Sequence, residues 1–177
     1  MTAKNIQRRM LKKQIEEFAD KHKASQIISQ KALELEDYKK AKSIFIYINT
    51  DDEVSTDKII EDAFISGKRV FVPVTSDIMR LVEIFPNTRY KRGKYNIKEP
   101  VDFIEANIQP DIAFIPLVGF DKNKNRMGRG KGYYDRYLEN YKGKKIALAF
   151  AVQQTDAILT EKCDIAMDMV ITEEAIF

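Results

Sequence analysis

The chain has 177 residues, 44% of them hydrophobic and 32% charged, with a formal net charge of +3. That length supports one domain, residues 1–177, with a real core and no staples. No apolar run approaches the roughly 18 residues of a membrane span, and a pI near 8.8 falls short of the value above about 9 that marks nucleic-acid-binding domains.

The first segment, MTAKNIQRRMLKKQIEEF, is charged and lacks the apolar stretch and cleavage site of a secretory signal. Glu16, Glu17 and Asp20 argue against a transit peptide, and the lone Cys163 permits no internal disulfide. A cytoplasmic protein is expected, with no membrane, no nucleic acid and no second copy as partner. Residues 4–20 carry Ile6, Met10, Leu11, Ile15 and Phe18 at helical spacing, and 24–37 predict a second helix. SIFIYI (43–48) reads as a buried strand. Ser55 or Thr56 can cap a third helix that Gly67 ends, before a strand at RVFVPV (69–74). RLVEIF (80–85) predicts an edge strand, 86–100 a loop, and 101–110 one helical turn. DIAFIPLVGF (111–120) reads as one long buried strand, GYYDRYLEN as a helix, and KKIALAFAVQ (144–153) and MDMVIT (167–172) as the last strands. This alternation predicts an α/β fold: a three-layer sandwich with a mostly parallel, Rossmann-like sheet and helices on both faces. Ligands in such folds bind beyond the carboxyl ends of the strands, which is where the loops 49–55 and 119–131 fall.

The second of these loops ends in RMGRGKGYYDRYL (126–138), which holds three of the chain's seven glycines. A glycine-rich turn can point successive N–H groups at an anion, and a following helix start adds its own. Arg126, Arg129 and Lys131 add full charges, and Asp135 could hold a magnesium that bridges phosphates. The run is neither common phosphate motif: Gly132 stands where the Walker pattern needs Ser or Thr, and Tyr133 where the dinucleotide pattern needs its third glycine. A flexible basic turn is the bland alternative. RNA binding is a third reading, since Lys131-Gly132-Tyr133 opens an RNA-recognition consensus that then fails at Tyr134 and Asp135.

PLVGFDKNKNRMGRGKGYYDRYL (116–138) resembles the signature of the 5-formyltetrahydrofolate cyclo-ligase family, with Met127 in place of the usual leucine. Lys4 and Arg8, DDEVST (51–56), VFVP, ALAFAVQ and MDMVIT resemble further family segments, so the likeness spans nearly the whole chain. It implies ATP- and Mg-dependent closure of 5-formyltetrahydrofolate to 5,10-methenyltetrahydrofolate, with release of ADP and phosphate. The formyl oxygen would be phosphorylated and N10 would attack the activated carbon.

Carried over by motif, Lys4, Arg8 and the run Arg126, Met127, Gly128, Arg129, Gly130, Lys131, Gly132, Tyr133 and Tyr134 would bind ATP. Arg129, Gly130, Lys131, Gly132 and Tyr133 would also face the folate, with Ile48 and Glu53 at the pterin. Lys131 and Arg129 are the catalytic candidates, and Asp135 with Asp168 the magnesium ligands. Each has a plainer reading. Lys4 and Arg8 could be a solvated helix face, Glu53 surface charge, Asp168 a turn residue, and one of the two adjacent tyrosines core. Phe120 and Asp121 set the entry to the loop. The basic run RYKRGK (89–94) could meet a polyglutamate tail or be an exposed loop.

Overall fold

The computed structural model describes residues 2–75, 78–93, 98–101 and 103–177. Helices α1 (Ala3–Glu17), α2 (Lys21–Glu34) and α3 (Glu36–Lys40) precede β1 (Ser43–Ile46), α4 (Asp57–Ile65), β2 (Arg69–Thr75) and β3 (Met79–Ile84). Short strands β4 (Tyr90–Arg92), β5 (Lys98–Pro100) and β6 (Ile104–Glu105) lead to β7 (Ile112–Pro116), β8 (Gly119–Phe120) and β9 (Arg126–Met127). Then come α5 (Tyr133–Leu138), β10 (Lys144–Leu148) and β11 (Met169–Ile171).

The main sheet has the order β11-β10-β7-β1-β2-β3-β6. The pairs β1/β2, β1/β7, β7/β10 and β10/β11 are parallel, while β2/β3 and β3/β6 are antiparallel. The strands read as continuous apolar runs because both faces are covered. Their residues still alternate between two cores, as the pleat requires. Ile44, Ile46, Val70, Val72, Ile112, Phe114, Ile146 and Leu148 join Leu11 and Ile15 of α1, Ile28 of α2 and Ile59 of α4. Phe45, Phe71, Ala113, Ile115 and Ala147 face the other way, toward Leu138, Tyr134 and Tyr137 of α5. The predicted three-layer α/β sandwich is the fold observed.

Several boundaries differ from the sequence reading. The second helix breaks at Leu35, whose backbone is extended, so α3 is a separate turn. The strand expected over 111–120 stops at Pro116. Gly119 and Phe120 then pair antiparallel with Met127 and Arg126, while Gln153 Nε2 donates to the carbonyls of Leu117 and Val118. The strand expected over 144–153 ends at Leu148, and Phe150 N donates to Gln153 Oε1 to close a 3-10 turn at Ala151–Gln153. The stretch 86–100 contains the β4–β5 pairing rather than only loop, and Ile104–Glu105 is strand where a helical turn was expected. Residues 94–97 and 102, including Lys94 of the basic run, lie outside the described residues.

On α1, Leu11 and Ile15 are core, but Ile6 and Met10 are exposed and line a groove of about 390 Å³ with Gln154 and Leu159. The amino ends of the strands are closed by polar clamps. Asp111 Oδ2 accepts from Lys42 N at 2.7 Å, Ser43 N at 3.0 Å and Ser43 Oγ at 3.1 Å, and Tyr141 Oη donates to Pro110 O at 2.6 Å. The carboxyl ends carry the site.

Candidate active site

Loop 49–56 leaves β1 at its carboxyl end and is knitted from within. Tyr47 Oη donates to Val54 O at 2.9 Å, and Thr56 N to Asn49 Oδ1 at 3.2 Å. Thr56 does sit at the cap position of α4. Its hydroxyl, however, donates back to Tyr47 O at 2.8 Å and so ties the helix start to β1. Glu53 is thereby presented on a fixed turn, with its Oε2 accepting from Thr50 N at 2.9 Å.

The glycine run reaches the same place from β7. Asp121, 1% exposed, organises the hairpin that delivers it. Its Oδ1 accepts from Asn123 N and Asn125 N, and its Oδ2 from Asn125 Nδ2 and Ile158 N. Burial opposes the charge of Asp121, but these donors outweigh it and hold the carboxyl below its ordinary range. Phe120 and Asp121 thus set the loop entry, as expected.

The three glycines make room for guanidinium groups. A Cβ on Gly128 would come within 2.9 Å of Arg126 Nη1, one on Gly130 within 3.3 Å of Arg8 Cζ, and one on Gly132 within 3.0 Å of Arg136 Nη1. Gly130 and Gly132 also have φ of +96° and +65°, where a side chain would be strained. Cations from three separate positions therefore rest against one bare backbone. Arg8 Nε donates to Gly128 O at 2.8 Å, which docks α1 on the run.

Arg126 is buried, its side chain only 3% exposed, and pairs with Asp135 Oδ1 at 2.9 Å. Its Nη1 donates to Pro116 O, its guanidinium lies 5.6 Å from the Tyr134 ring, and its Nε is buried without a partner. An orphaned buried donor costs about 1–3 kcal/mol, which is unusual for a purely structural arginine. Met127 is fully buried in the α1-side core, so only its backbone faces the run. Tyr134 stacks on Phe45 at 5.9 Å and belongs to the opposite core, whereas Tyr133 lies under Arg136. Lys131 is exposed, and among the described residues its ammonium has no hydrogen-bond or ion-pair partner.

Arg129 joins the two loops. Its Nη2 donates to Asp52 Oδ1 at 2.8 Å and Glu53 Oε1 at 3.0 Å, and its Nε to Glu53 Oε1 at 3.3 Å. Burial works against the charge of Asp52, but Thr50 and Arg129 outweigh it and keep the carboxyl below its usual range. Ile48, half-buried, packs on the α1-side core beside this cluster.

Lys4 and Asp135 converge on a segment that the sequence reading passed over. Lys4 Nζ binds Asp164 Oδ2 at 2.5 Å and Glu161 Oε2 at 3.5 Å, and Ile165 N donates to Asp135 Oδ1 at 3.4 Å. Burial opposes the charge of Asp164, but Lys4, the Glu161 amide and the field of Arg126 lower its carboxyl. Asp168 is not brought into this cluster. Its carboxylate accepts from Lys145 N at 2.7 Å and meets Lys145 Nζ at 3.1 Å, at the amino end of β10. Asp164, four residues earlier, is the acid adjoining Ile165, whose N–H Asp135 accepts. A cavity of about 540 Å³ lined by Phe85, Asn87, Thr88, Arg89, Phe103 and Ile104 lies at the opposite end of the sheet and contains none of these residues.

Residues 1–173 match the model of the 5-formyltetrahydrofolate cyclo-ligase family. The chain belongs to that family. A 5-formyltetrahydrofolate cyclo-ligase of Haemophilus influenzae is 36% identical over 157 residues, covering 82% of this chain and 83% of the relative. One from Mus musculus is 34% identical over 168 residues, covering 85% and 83%. A 5,10-methenyltetrahydrofolate synthetase of Aquifex aeolicus superposes with a TM-score of 0.88 at 25% identity, covering 99% of this chain and 92% of the other. The family and these relatives indicate an enzyme with 5-formyltetrahydrofolate cyclo-ligase activity. Among the described residues no helix is long and apolar enough to cross a membrane.

Proposed function

We propose that this cyclo-ligase couples ring closure to ATP through the glycine run. The observation that carries the reading is the ring of Arg8, Arg126 and Arg136 packed directly on the backbone of Gly128, Gly130 and Gly132. Arg129 and Lys131 project from the same run, a concentration of charge suited to a triphosphate. Lys4 and Arg8 hold the nucleotide from α1. Met127 and the glycines contribute backbone, Tyr133 lines the run, and Tyr134 supports it from the core.

A formamide carbonyl is a poor electrophile with a poor leaving group. Its oxygen attacks the γ-phosphorus, and the bond to ADP breaks. N10 attacks the activated carbon and loses its proton, and the carbon–oxygen bond breaks to release phosphate. The protein's part is positioning and charge neutralisation. Lys131, free to move, follows the transferred group; Arg129 neutralises its neighbours; Glu53 accepts from the aminopyrimidine edge of the pterin, and Ile48 packs beside it.

The carboxylates of Asp135 and Asp164 offer the hard oxygen donors that Mg²⁺ takes, each balanced here by a cation, Arg126 or Lys4. They are placed better for it than Asp168, which sits with Lys145 at the amino end of β10, away from the loops at the carboxyl ends of the strands. Bound there, the ion would withdraw charge from the phosphates. The enzyme works in the cytosol as a single-domain monomer on small molecules, without nucleic acid.

The test is absorbance at the methenyl-folate band after mixing protein, 5-formyltetrahydrofolate, ATP and magnesium. Growth of the band should require all three additions. Growth without ATP or without magnesium would overturn the corresponding half of the proposal.

A further inference from the structure

Arg129 covers the carboxylate that the pterin would need. Each carboxylate oxygen offers about two lone-pair sites. Glu53 Oε1 already accepts two N–H groups of Arg129, at 3.0 and 3.3 Å, and Oε2 accepts Thr50 N at 2.9 Å. An aminopyrimidine edge presents two N–H donors side by side and needs a free site on each oxygen. It cannot dock while Arg129 holds Oε1.

Asp52 keeps Arg129 there. Its Oδ1 accepts from Arg129 Nη2 at 2.8 Å and from Thr50 Oγ1 at 2.5 Å, and Thr50 Oγ1 also accepts from Nη2 at 3.0 Å. The Asp52 side chain is 37% exposed and that of Glu53 only 11%. The more open acid therefore anchors the guanidinium over the more enclosed one. We propose that Asp52 is a positioning residue: it parks the Arg129 guanidinium over Glu53, so that folate binds well only after a nucleotide triphosphate has drawn Arg129 away. This rests on reading Glu53 as the pterin contact and Arg129 as a phosphate contact. A triphosphate offers Arg129 a larger set of anionic oxygens than the two carboxylates, and Arg129 stands in the glycine run that would meet it.

The experiment titrates the full chain with 5-formyltetrahydrofolate, alone and with a saturating non-hydrolysable ATP analogue and magnesium. Because the latch is a half-exposed ion-pair network, the analogue should tighten folate binding about fivefold, the upper end for such pairs. By linkage, folate should tighten analogue binding by the same factor. Asp52→Asn should bind folate alone nearly as tightly as wild type binds it with the analogue, shrinking the coupling to under about twofold, and Asp52→Glu should restore it. A merely structural aspartate would instead weaken both folate affinities when replaced. Equal folate affinity with and without the analogue in wild type, or undiminished coupling in Asp52→Asn, would overturn the proposal. If turnover persists without coupling, only the role of Asp52 falls; if neither ligand binds, the reading of the site falls with it.

Discussion

At the scale of single residues, the site separates charges that are already committed from one that is not. Arg126 is locked to Asp135, Arg8 to the Gly128 carbonyl, Lys4 to Asp164 and Arg129 to two acids. Lys131 alone among the site's described cations has no protein partner. Replacing it with alanine should cut turnover by about a hundredfold, in line with losing one charge-stabilising donor. As an exposed substitution it should move stability by no more than about 0.5 kcal/mol. Parallel initial rates and melting curves check this, and near-normal turnover would remove Lys131 from the chemistry. The family resemblance made Glu53, Arg129 and the glycines readable as candidates from the sequence. Asp164 was not, because its partner Lys4 stands 160 positions away. Choosing between Asp164 and Asp168 requires knowing where β11 begins, which depends on its pairing with β10.

At the scale of elements, apolar periodicity located every long helix and every long strand, and missed the places where a strand is cut short by something distant. The run 111–120 is apolar from Ile112 to Phe120, yet Gln153 captures two of its carbonyls and turns it into β7 and β8. Pro116 and Gly119 mark where the run can break, but the side chain that fixes the break is distant. The turn between α5 and β10 shows the reverse, a single residue whose necessity is steric. A Cβ on Gly143 would lie 2.6 Å from the carbonyl oxygens of both Pro110 and Asp111 and 2.3 Å from Tyr141 Oη. Two of these atoms are backbone and cannot swing aside. Gly143→Ala should therefore cost about 2–3 kcal/mol, lowering the melting temperature by roughly 5–10 °C for a chain of this size. Because the clash lies at the amino ends of the strands, KM for either substrate should stay near wild type at low temperature. An unchanged melting temperature would show that the turn has slack that the packing does not suggest.

At the scale of the whole molecule, acid is the predicted weakness. Asp52, Asp121 and Asp164 are held low because their hydrogen bonds outweigh burial, and Glu83 because Arg69 donates to it at 2.8 and 2.7 Å. A carboxyl whose folded pKa is depressed contributes fully above its unfolded value and loses that contribution as pH falls through the folded one. Unfolded values sit near 4, so stability should fall as pH drops through and below about 4. Urea titrations at pH 5, 4 and 3 measure this, and an unmoved midpoint would contradict it. The glycine run also has a geometry of suspension. Met127 is embedded in the layer beneath α1, and Tyr134 is stacked on Phe45 in the layer beneath α5. The run is thus a short bridge whose two abutments stand in separate foundations on opposite sides of the sheet. Its shape is set by the span between them rather than by the looseness of its own glycines, so a shift in either layer reaches the backbone of the run without touching any of its charged side chains.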